Sequence, residues 1–197
     1  MTARIVLATH NPHKVEEFHA IVAAVRPDLA VVGYDGPEPV EDGVTFTENA
    51  LIKARAAAAH TGLPALADDS GICVDALGGA PGAFSAYWAG HQKDAAANTA
   101  LLLDQLSDIA DPRRTAQFVS VIALVDGETE HVVEGVWPGR LATAPAGDGG
   151  FGYDPVFVPD EQPEPARTVA QWSPAEKNAA SHRARAFVAL TELLRAL

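Results

Sequence analysis

The sequence contains a polar loop whose side chains could bind phosphate groups. This loop, Thr9-His10-Asn11-Pro12-His13-Lys14, follows a short apolar run and precedes apolar residues that recur at helical spacing. In α/β proteins, anions commonly bind at such a connection, because backbone N–H groups point out of the helix N-terminus. The Thr9 hydroxyl, the Asn11 amide and the Lys14 ammonium add donors that suit a phosphate. A capped helix start with solvated side chains accounts for the same residues equally well.

Two acidic pairs could hold a metal ion. Asp68 and Asp69 follow the apolar run 63–67, and Glu41 and Asp42 end an acidic loop rich in Pro and Gly. Carboxylate oxygens suit Mg²⁺, which often binds through one or two carboxylates plus substrate phosphates. Since neighbours in a strand face opposite ways, only one of Asp68 and Asp69 could face a given site. The alternative for each pair is a solvated turn, because Asp-Asp-Ser-Gly is also favourable turn chemistry.

Two C-terminal segments carry side chains that could bind a nucleobase. Phe151-Gly152-Tyr153-Asp154 lies in a glycine cluster, where an aromatic ring could stack on a base or pack in the core. Lys177, His182 and Arg183 follow on the last predicted helix. A straight helix would place Lys177 and His182 roughly 140° apart. The spacing therefore predicts either two walls of a cleft or a helix break, with Ser181 as a second N-cap.

Composition limits the partners and the compartment. The chain has 197 residues, 14 Lys and Arg against 26 Asp and Glu, and a net charge of −12, so broad binding to a nucleic acid polymer or to an anionic membrane is excluded. Cys73 is the one cysteine, as in proteins of a reducing compartment. No apolar stretch is long enough for a signal or membrane segment. We therefore expect a cytoplasmic protein.

The elements that must position these residues alternate between strand and helix. Capping signals at Thr45 and Ser173 predict helix starts, an Ala- and Leu-rich run predicts a helix from about Asp94, and Asp126-Gly127 predicts a hairpin between two long β segments. The predicted fold is a mixed α/β sheet with helices on both sides, in a single domain over residues 1–197. The predicted strands are 4–8, 29–34, 63–67, 115–125, 130–137 and 155–158, and the predicted helices are 15–25, 45–60, 94–106 and one from 174 onward.

Five motifs in one order resemble a known family. They read ATHNPHKVEE, TFTENALIKARAAA, ALADDSGICVDALGGAPGAFSA, GDGGFGYDPVFVP and SPAEKNAASHRARA, and they cover almost the whole chain. The sequence resembles the non-canonical purine nucleoside triphosphate pyrophosphatases, the inosine triphosphatase-like or dITP/XTP pyrophosphatase family. The resemblance implies an elongated mixed sheet, two lobes with a central nucleotide cleft, and a homodimer. It also implies Mg²⁺-dependent hydrolysis of ITP, dITP, XTP and dXTP to the monophosphate and pyrophosphate, which removes deaminated purines from the nucleotide pool.

The resemblance also implies roles for individual residues. Residues Thr9, His10, Asn11, Pro12, His13 and Lys14 would bind the triphosphate, and Ser70 would contact the substrate. Asp69 would be the general base and a Mg²⁺ ligand, with Glu41 as the other ligand. Residues Phe151, Gly152, Tyr153, Asp154, Lys177, His182 and Arg183 would hold the nucleotide and its base.

The chain departs from the family pattern at three positions. Tyr87 stands where the family usually has a basic residue, Ala184 where it has Gly, and Trp172 where it has Leu. The change at Tyr87 removes a positive charge expected near the phosphates, which Lys53 or an arginine elsewhere would have to replace. Two other functions fit the motifs: a non-catalytic nucleotide sensor, and a pyrophosphatase for another modified nucleotide. Retention of both Glu41 and Asp69 argues against the sensor, since binding alone needs no base.

Overall fold

The structure is a computed structural model that describes residues 3–196. Six strands form one sheet in the order β2-β1-β3-β4-β5-β6. The strands are β1 Ala3–Leu7, β2 Leu29–Gly33, β3 Ala65–Val74, β4 Thr115–Asp126, β5 Thr129–Leu141 and β6 Phe157–Pro159. The helices are α1 Pro12–Val25, α2 Phe46–Thr61, α3 Ala95–Gln105, α4 Pro174–Ala180 and α5 His182–Ala196, with short 3₁₀ turns at Asp75–Leu77, Gly82–Tyr87 and Val169–Gln171.

The sheet is mixed, as the sequence predicts. β1 pairs in parallel with β2 and with β3, whereas β5 pairs antiparallel with β6. Only two residues, with Gly127 at a φ of 59°, connect β4 to its neighbour β5, a connection that antiparallel strands alone allow. The predicted mixed α/β fold is therefore confirmed. Within residues 3–196, no helix is long and apolar enough to cross a membrane.

The chain divides into two compact units. The first unit ends at Asp69 and continues at Ser120–Gly135 and from Ala186 onward; the second is Ser70–Val119 with Val136–Arg185. The chain passes from one unit to the other within β3, β4, β5 and α5. The first unit thus contains α1, α2 and α5 from Ala186 onward, and the second contains α3, α4 and β6.

Each unit has its own hydrophobic core. In the first, the apolar side of α1 packs with β1 and α5, and Phe18 meets Phe187 edge to face with ring centres 4.8 Å apart. In the second, Trp137 is fully buried and lies edge-on to Phe157 and Trp172. These aromatic contacts stabilise each unit through apolar burial and favourable ring geometry.

Local capping signals predict the helices well. Thr45 and Glu48 form the predicted capping box of α2, and Gly62 ends that helix in the left-handed conformation. Asp94 accepts hydrogen bonds from the N–H groups of residues 96 and 97 at the start of α3. Ser173 and Glu176 form a second capping box, at α4. In each case a side chain satisfies N–H groups that a helix start leaves unpaired.

Three predicted boundaries are wrong by three residues or more. β5 ends at Leu141 rather than at residue 137. β3 continues to Val74 rather than ending at residue 67, because membership of the sheet outweighs the turn preference of Asp-Asp-Ser-Gly at 68–71. The helix α1 begins at Pro12 rather than at Val15, since Asn11 caps it by accepting from the His13 N–H at 3.0 Å. His13 and Lys14 therefore belong to the first helical turn and not to the loop.

Candidate functional site

Two carboxylates converge on one ammonium in the first unit. Lys53 Nζ lies 3.0 Å from Asp69 Oδ1 and 3.0 Å from Glu41 Oε2. We call these three residues the carboxylate cluster. Glu41 comes from the loop before α2, Lys53 from the middle of α2, and Asp69 from β3. Three separate segments therefore meet at one cationic atom.

Asn49 and Lys53 position the cluster from one face of α2. Residues four apart lie above one another on a helix, so both side chains point the same way. Asn49 is buried, and its side-chain oxygen accepts a hydrogen bond from the Gly43 N–H at 2.9 Å. Glu48 accepts from the Val44 N–H at 2.7 Å. These bonds tie the end of the acidic loop, which carries Glu41, to the start of the helix.

Burial and charge shift the pKa values in the cluster. Burial raises the pKa of Asp69, the Lys53 ammonium lowers it, and the nearby Glu41 carboxylate raises it again, so the pKa lies above its ordinary value. Burial lowers the pKa of Lys53, but attraction to Asp69 and Glu41 outweighs that effect and the net pKa is raised. Lys53 is therefore a fixed cation, and Asp69 is a stronger base than an ordinary exposed carboxylate.

The adjacent carboxylate has a different partner. Lys14 Nζ, on α1, lies 2.9 Å and 2.8 Å from the two oxygens of Asp68. Because Asp68 and Asp69 are neighbours in a continuing strand, they turn to different partners, as the alternation of a strand requires. The structure thus separates the two candidates: Asp69 joins Glu41, and Asp68 joins Lys14.

The predicted phosphate segment binds part of the chain itself. His10 Nδ1 lies 3.1 Å from the Glu38 carboxylate, and His10 Nε2 lies 3.0 Å from the Gly36 carbonyl oxygen. The ring also stacks on Tyr34, with centres 5.7 Å apart. His10 therefore links the strand-to-helix connection to the acidic loop. An open cavity of about 370 Å³ adjoins this segment and is lined by Thr9, His10, Pro12, Val15, Glu16, Gly33 and Tyr34.

The carboxylate cluster has the donor chemistry of a site for a hard divalent cation. Its ligand atoms are carboxylate oxygens that already face a common positive charge, and Mg²⁺ takes oxygen ligands. Among residues 3–196, no three or more His, Cys, Asp and Glu side chains group closely enough to form a complete metal cage. An ion held by Glu41 and Asp69 would therefore need further oxygens from a ligand, and phosphates provide them.

The second unit contains a pocket with aromatic walls. The cavity measures about 340 Å³, within the usual range for small-molecule sites. We call it the aromatic pocket. Its lining residues are Ser70, Gly71, Ser85, Ala86, Lys93, Ala95, Asn98, Phe118, Phe151, Gly152, Tyr153, Asp154, Lys177, His182 and Arg183.

Asp154 organises one side of the aromatic pocket. The buried carboxylate accepts hydrogen bonds from the Phe151 N–H, at 2.8 Å, and from the Lys177 ammonium. The Lys177 Nζ atom also lies 4.1 Å from the centre of the Phe151 ring, which is 67% exposed. A Cβ atom on Gly150 would collide with the Asp154 carboxylate, so this tight turn requires glycine there. One face of the Phe151 ring is thus covered by a cation, and the ring remains accessible for stacking.

A break between α4 and α5 separates Lys177 from His182, so the two side chains are not on one straight helix. The helix α4 ends at Ala180, and Ser181 starts α5 by accepting a hydrogen bond from the Ala184 N–H at 3.3 Å. The predicted second N-cap is therefore confirmed. Because of the break, both side chains line the same pocket, and the His182 ring stacks on Phe118 with centres 4.9 Å apart.

A serine forms the inner corner of the aromatic pocket. Ser85 Oγ accepts a hydrogen bond from the Ile72 N–H at 2.9 Å and lies 2.6 Å from the Gly82 carbonyl oxygen. A Cβ atom on Gly71 would collide with this side chain. The Ser85 carbonyl oxygen accepts from the Tyr153 hydroxyl at 2.8 Å, and burial raises the pKa of that phenol. The hydroxyl therefore remains protonated and acts as a fixed donor.

The structure groups the predicted residues into two sets. Glu41 and Asp69 share Lys53 in the first unit, whereas the seven residues from 151 onward that the sequence singles out all line the aromatic pocket, together with Ser70. Sequence reasoning misses Asn49 and Lys93 and gives Lys53 no definite role. Asn49 and Lys53 could have been predicted to lie on one face of α2, because they are four residues apart. No comparable pattern in the sequence points to Lys93.

Comparisons with known proteins agree with one another. The model of the Ham1 family matches residues 5–193. The chain is 61% identical to the dITP/XTP pyrophosphatase of Leifsonia xyli over 98% of this chain and 96% of that protein, and 52% identical to the enzyme of the same name from Streptomyces coelicolor over 98% of each. Its structure superposes on a HAM1 protein from Coxiella burnetii with a TM-score of 0.89 and 40% identity, covering 99% of this chain and 100% of the other.

Proposed function

The chain belongs to the Ham1 family, and from that premise we propose that it hydrolyses non-canonical purine nucleoside triphosphates to the monophosphate and pyrophosphate. The proposed substrates are ITP, dITP, XTP and dXTP. Support comes from relatives named dITP/XTP pyrophosphatase, which match nearly the full length of the chain. The resulting activity is that of a hydrolase acting on a phosphoanhydride bond.

The observation that carries this proposal is the convergence of Glu41 and Asp69 on one positive charge. A module that only binds a nucleotide does not need two carboxylates in the same place, because they repel the phosphates. Hydrolysis needs both a base and a means of holding a cation near the reacting phosphate. The carboxylate cluster provides both functions with a small number of side chains.

Asp69 is the proposed general base. It accepts a proton from a water molecule whose oxygen attacks the α-phosphorus, while the bond from that phosphorus to the departing pyrophosphate breaks in line. A carboxylate whose pKa is raised by burial is a stronger base than an exposed one, which favours this transfer. The Lys53 ammonium opposes this rise, because it stabilises the ionised carboxylate.

We propose Mg²⁺ as the metal, with Glu41 and Asp69 as its protein ligands. When bound, such an ion neutralises charge on the phosphates and holds the triphosphate in position. Lys53 balances the two carboxylates in the free protein, so it keeps them together before any ion arrives. Lys14 and the α1 N-terminus are the proposed contacts for the remaining phosphate oxygens.

The proposed base site is the aromatic pocket. Phe151 offers a ring for stacking, and Lys177, Arg183 and His182 provide donors for the 6-oxo oxygen of a deaminated purine. A 6-amino base would leave such donors facing an N–H group, a mismatch that can discriminate by about 10⁴-fold. Ser70, which follows Asp69 directly in the chain, also lines this pocket and is a proposed substrate contact.

The test is a product assay with separate readouts. The protein is incubated with Mg²⁺ and with ITP, XTP, ATP or GTP, and pyrophosphate and orthophosphate are measured independently. We expect pyrophosphate and the monophosphate from ITP and XTP. Release of orthophosphate first, or no release from either substrate, would contradict the proposal.

A pair of variants separates the two acidic residues of the loop. Glu41→Gln should raise the Mg²⁺ concentration needed for half-maximal activity more than Asp42→Asn does, because Glu41 alone shares Lys53 with Asp69. A larger effect of the Asp42 substitution would remove Glu41 from the proposed metal site.

We also propose a homodimer in the cytoplasm, which the family resemblance supports. Light scattering coupled to size exclusion should give twice the 20.6 kDa mass of the chain. A reducing compartment is consistent with one cysteine, Cys73. A monomer at the protein concentration of the activity assay would contradict the dimer without affecting the chemistry above.

A further inference from the structure

Lys93 differs from the other three lysines of the chain. Lys14, Lys53 and Lys177 each form an ion pair with at least one carboxylate. Lys93 is exposed, and no carboxylate in residues 3–196 lies within ion-pair distance of its ammonium. It nevertheless lines the aromatic pocket. In a protein with a net charge of −12, an unneutralised cation at a pocket favours an anionic ligand.

The backbone holds Lys93 in an unusual conformation. Its φ of 55° makes it the one non-glycine residue with a positive φ in the described part of the chain. Its N–H donates to the Gly90 carbonyl at 3.2 Å, and the next residue, Asp94, caps α3 with its carboxylate. The Asp94 carboxylate accepts these bonds at the helix start and does not lie within ion-pair distance of the Lys93 ammonium. A bulky residue in the left-handed region costs free energy, so the position is held by its surroundings.

Three arginines of the second unit that lie outside the pocket lining are already engaged. Arg114 is buried and donates to four backbone carbonyls, and Arg167 pairs with Glu176. Arg185 pairs with Glu161 and donates to two carbonyls. Tyr87, where a basic residue was expected, stacks on His91 with ring centres 5.3 Å apart. Among the residues that line the pocket, Lys177 pairs with Asp154, whereas Lys93 and Arg183 have no carboxylate within ion-pair distance in residues 3–196.

The ligand chemistry follows from where the pocket lies. Under the proposed function, the phosphates are handled by the first unit and the base by the aromatic pocket, so a cation in the pocket meets the base. Hypoxanthine is neutral near physiological pH. Xanthine has a second oxo group, which makes a ring N–H acidic enough to ionise near neutrality. Among the proposed substrates, only the xanthine bases therefore bring negative charge into this pocket.

We propose that Lys93 is a specificity-determining residue that recognises the negative charge of an ionised xanthine base. This inference rests on the proposed function for the identity of the ligand. Lys93 acts in binding and not in the chemical step, so it lowers KM for XTP and dXTP and leaves kcat unchanged. It contributes little to ITP, whose base offers it a neutral oxygen only.

The test compares two ligands and two substitutions. Lys93→Asn removes the charge and keeps a residue that tolerates the left-handed conformation, so the fold is preserved. Lys93→Arg restores the charge and serves as the matched control. Binding of xanthosine monophosphate and inosine monophosphate is measured by calorimetry at mildly alkaline pH, and KM and kcat are measured for XTP and ITP.

We expect Lys93→Asn to weaken binding of xanthosine monophosphate and to raise KM for XTP by about tenfold, as for a hydrogen bond to a charged group. Inosine monophosphate binding and KM for ITP should change less than twofold, and Lys93→Arg should restore the xanthine preference. Equal losses for both bases would mean that Lys93 contacts a phosphate, and no loss for either would mean that it contacts no ligand. Either result overturns the proposal.

The binding arm keeps this proposal separate from the proposed function. If the protein binds xanthosine monophosphate in a Lys93-dependent way but releases no pyrophosphate from any triphosphate, the hydrolase proposal fails and the specificity proposal stands. If pyrophosphate is released from XTP and ITP and the Lys93 variants behave like the natural protein, the reverse holds. Failure to bind either monophosphate contradicts the specificity proposal.

Discussion

The carboxylate cluster and the aromatic pocket treat charge in opposite ways. In the cluster, Lys53 is balanced by two carboxylates, and Lys14 is balanced by Asp68, the residue that precedes Asp69. In the pocket, Asp154 balances Lys177, but Lys93 and Arg183 have no carboxylate partner within residues 3–196. In the first unit, a bound metal ion would replace Lys53 as the partner of the two carboxylates. In the second unit, two cations are available for an anionic ligand. Under the proposed function, the chemical step therefore belongs to the first unit and base selectivity to the second.

The largest effect is expected for a substitution in the carboxylate cluster. Asp69→Asn removes the proposed base, and we expect kcat for ITP to fall by about 10²- to 10⁴-fold. Binding of inosine monophosphate should persist, since the aromatic pocket is unchanged. Steady-state kinetics and calorimetry measure the two quantities.

Asp126→Asn is the matched control for that variant. Asp126 is exposed at the end of β4 in the same unit, and its substitution should leave kcat as it was. Substantial turnover in Asp69→Asn would remove Asp69 from the mechanism.

The next largest effect is expected for a substitution in the aromatic pocket. Asp154→Asn withdraws the charge that balances Lys177 and weakens the bond to the Phe151 N–H. Leaving the half-buried Lys177 ammonium without a charged partner should cost about 1 to 3 kcal/mol of unfolding free energy. KM for ITP should rise about tenfold with little change in kcat, because the pocket and not the base is affected.

Urea denaturation and initial rates test the Asp154 prediction. Asp148→Asn, an exposed position in the same glycine-rich loop, controls for loss of charge in that loop. A fall in kcat without a change in KM would mean that Asp154 acts in the chemical step and that the two units do not divide the work.

A smaller effect sharpens the description of the first unit. His10→Ala removes both bonds that His10 makes to the acidic loop, which carries Glu41. We expect the Mg²⁺ concentration for half-maximal activity to rise about fivefold, roughly 1 kcal/mol, because the loop is held less firmly. KM for the nucleotide at saturating Mg²⁺ should stay close to its natural value.

A double-mutant cycle identifies the cause of the His10 effect. Glu38→Ala removes one of the two partners, so its effect and that of His10→Ala should not add when the substitutions are combined. Additive effects, or a large rise in nucleotide KM, would indicate that His10 contacts phosphate directly, as the sequence predicts.

The smallest effect concerns the two capping boxes that use a glutamate, one in each unit. Hydrogen bonding to the Val44 N–H lowers the pKa of Glu48, and bonding to the Ser173 N–H lowers the pKa of Glu176 to about 2 from an ordinary value of 4.5. An acid whose pKa is lowered by folding stabilises the fold above its ordinary pKa, and this contribution is lost as the pH falls through the folded value. Glu48→Gln and Glu176→Gln should thus be less stable than the natural protein at neutral pH.

Thermal unfolding across acid pH measures this prediction. The difference between the natural protein and Glu176→Gln should shrink as the pH falls from about 4.5 and should disappear near pH 2. A difference that grows on acidification would have the wrong sign for a lowered pKa and would exclude the capping role.

Local signals in the sequence predict much of the fold. The capping boxes at Thr45 and Ser173, the Asp94 cap and the Gly62 stop involve only neighbours in the chain, so their chemistry is legible without a structure. The predicted end of the strand at 67 is wrong because pairing with distant strands extends that segment to Val74. The end of α1 predicted at Val25 is confirmed, but its start is placed three residues too late because the Asn11 cap was read as loop.

The candidate site is predictable only in part for the same reason. The sequence identifies Glu41 and Asp69 but not the atom that joins them, since Lys53 meets both through contacts between segments far apart in the chain. Asn49 is missed because its partners, Gly43 and Asp69, lie in a loop and a strand. Lys93 is missed because the sequence does not show which lysines pair with carboxylates and which do not.

The placement of tryptophan gives the molecule an internal optical reporter. Trp88, Trp137 and Trp172 all belong to the second unit. The buried Trp137 lies against His182, whose ring lines the aromatic pocket, with ring centres 6.5 Å apart. Since indole emission responds to nearby polar and charged groups, entry of a base should alter the fluorescence through His182. Binding of a metal ion at the carboxylate cluster takes place in the unit that has no tryptophan. Fluorescence of the unlabelled protein therefore follows base binding separately from metal binding.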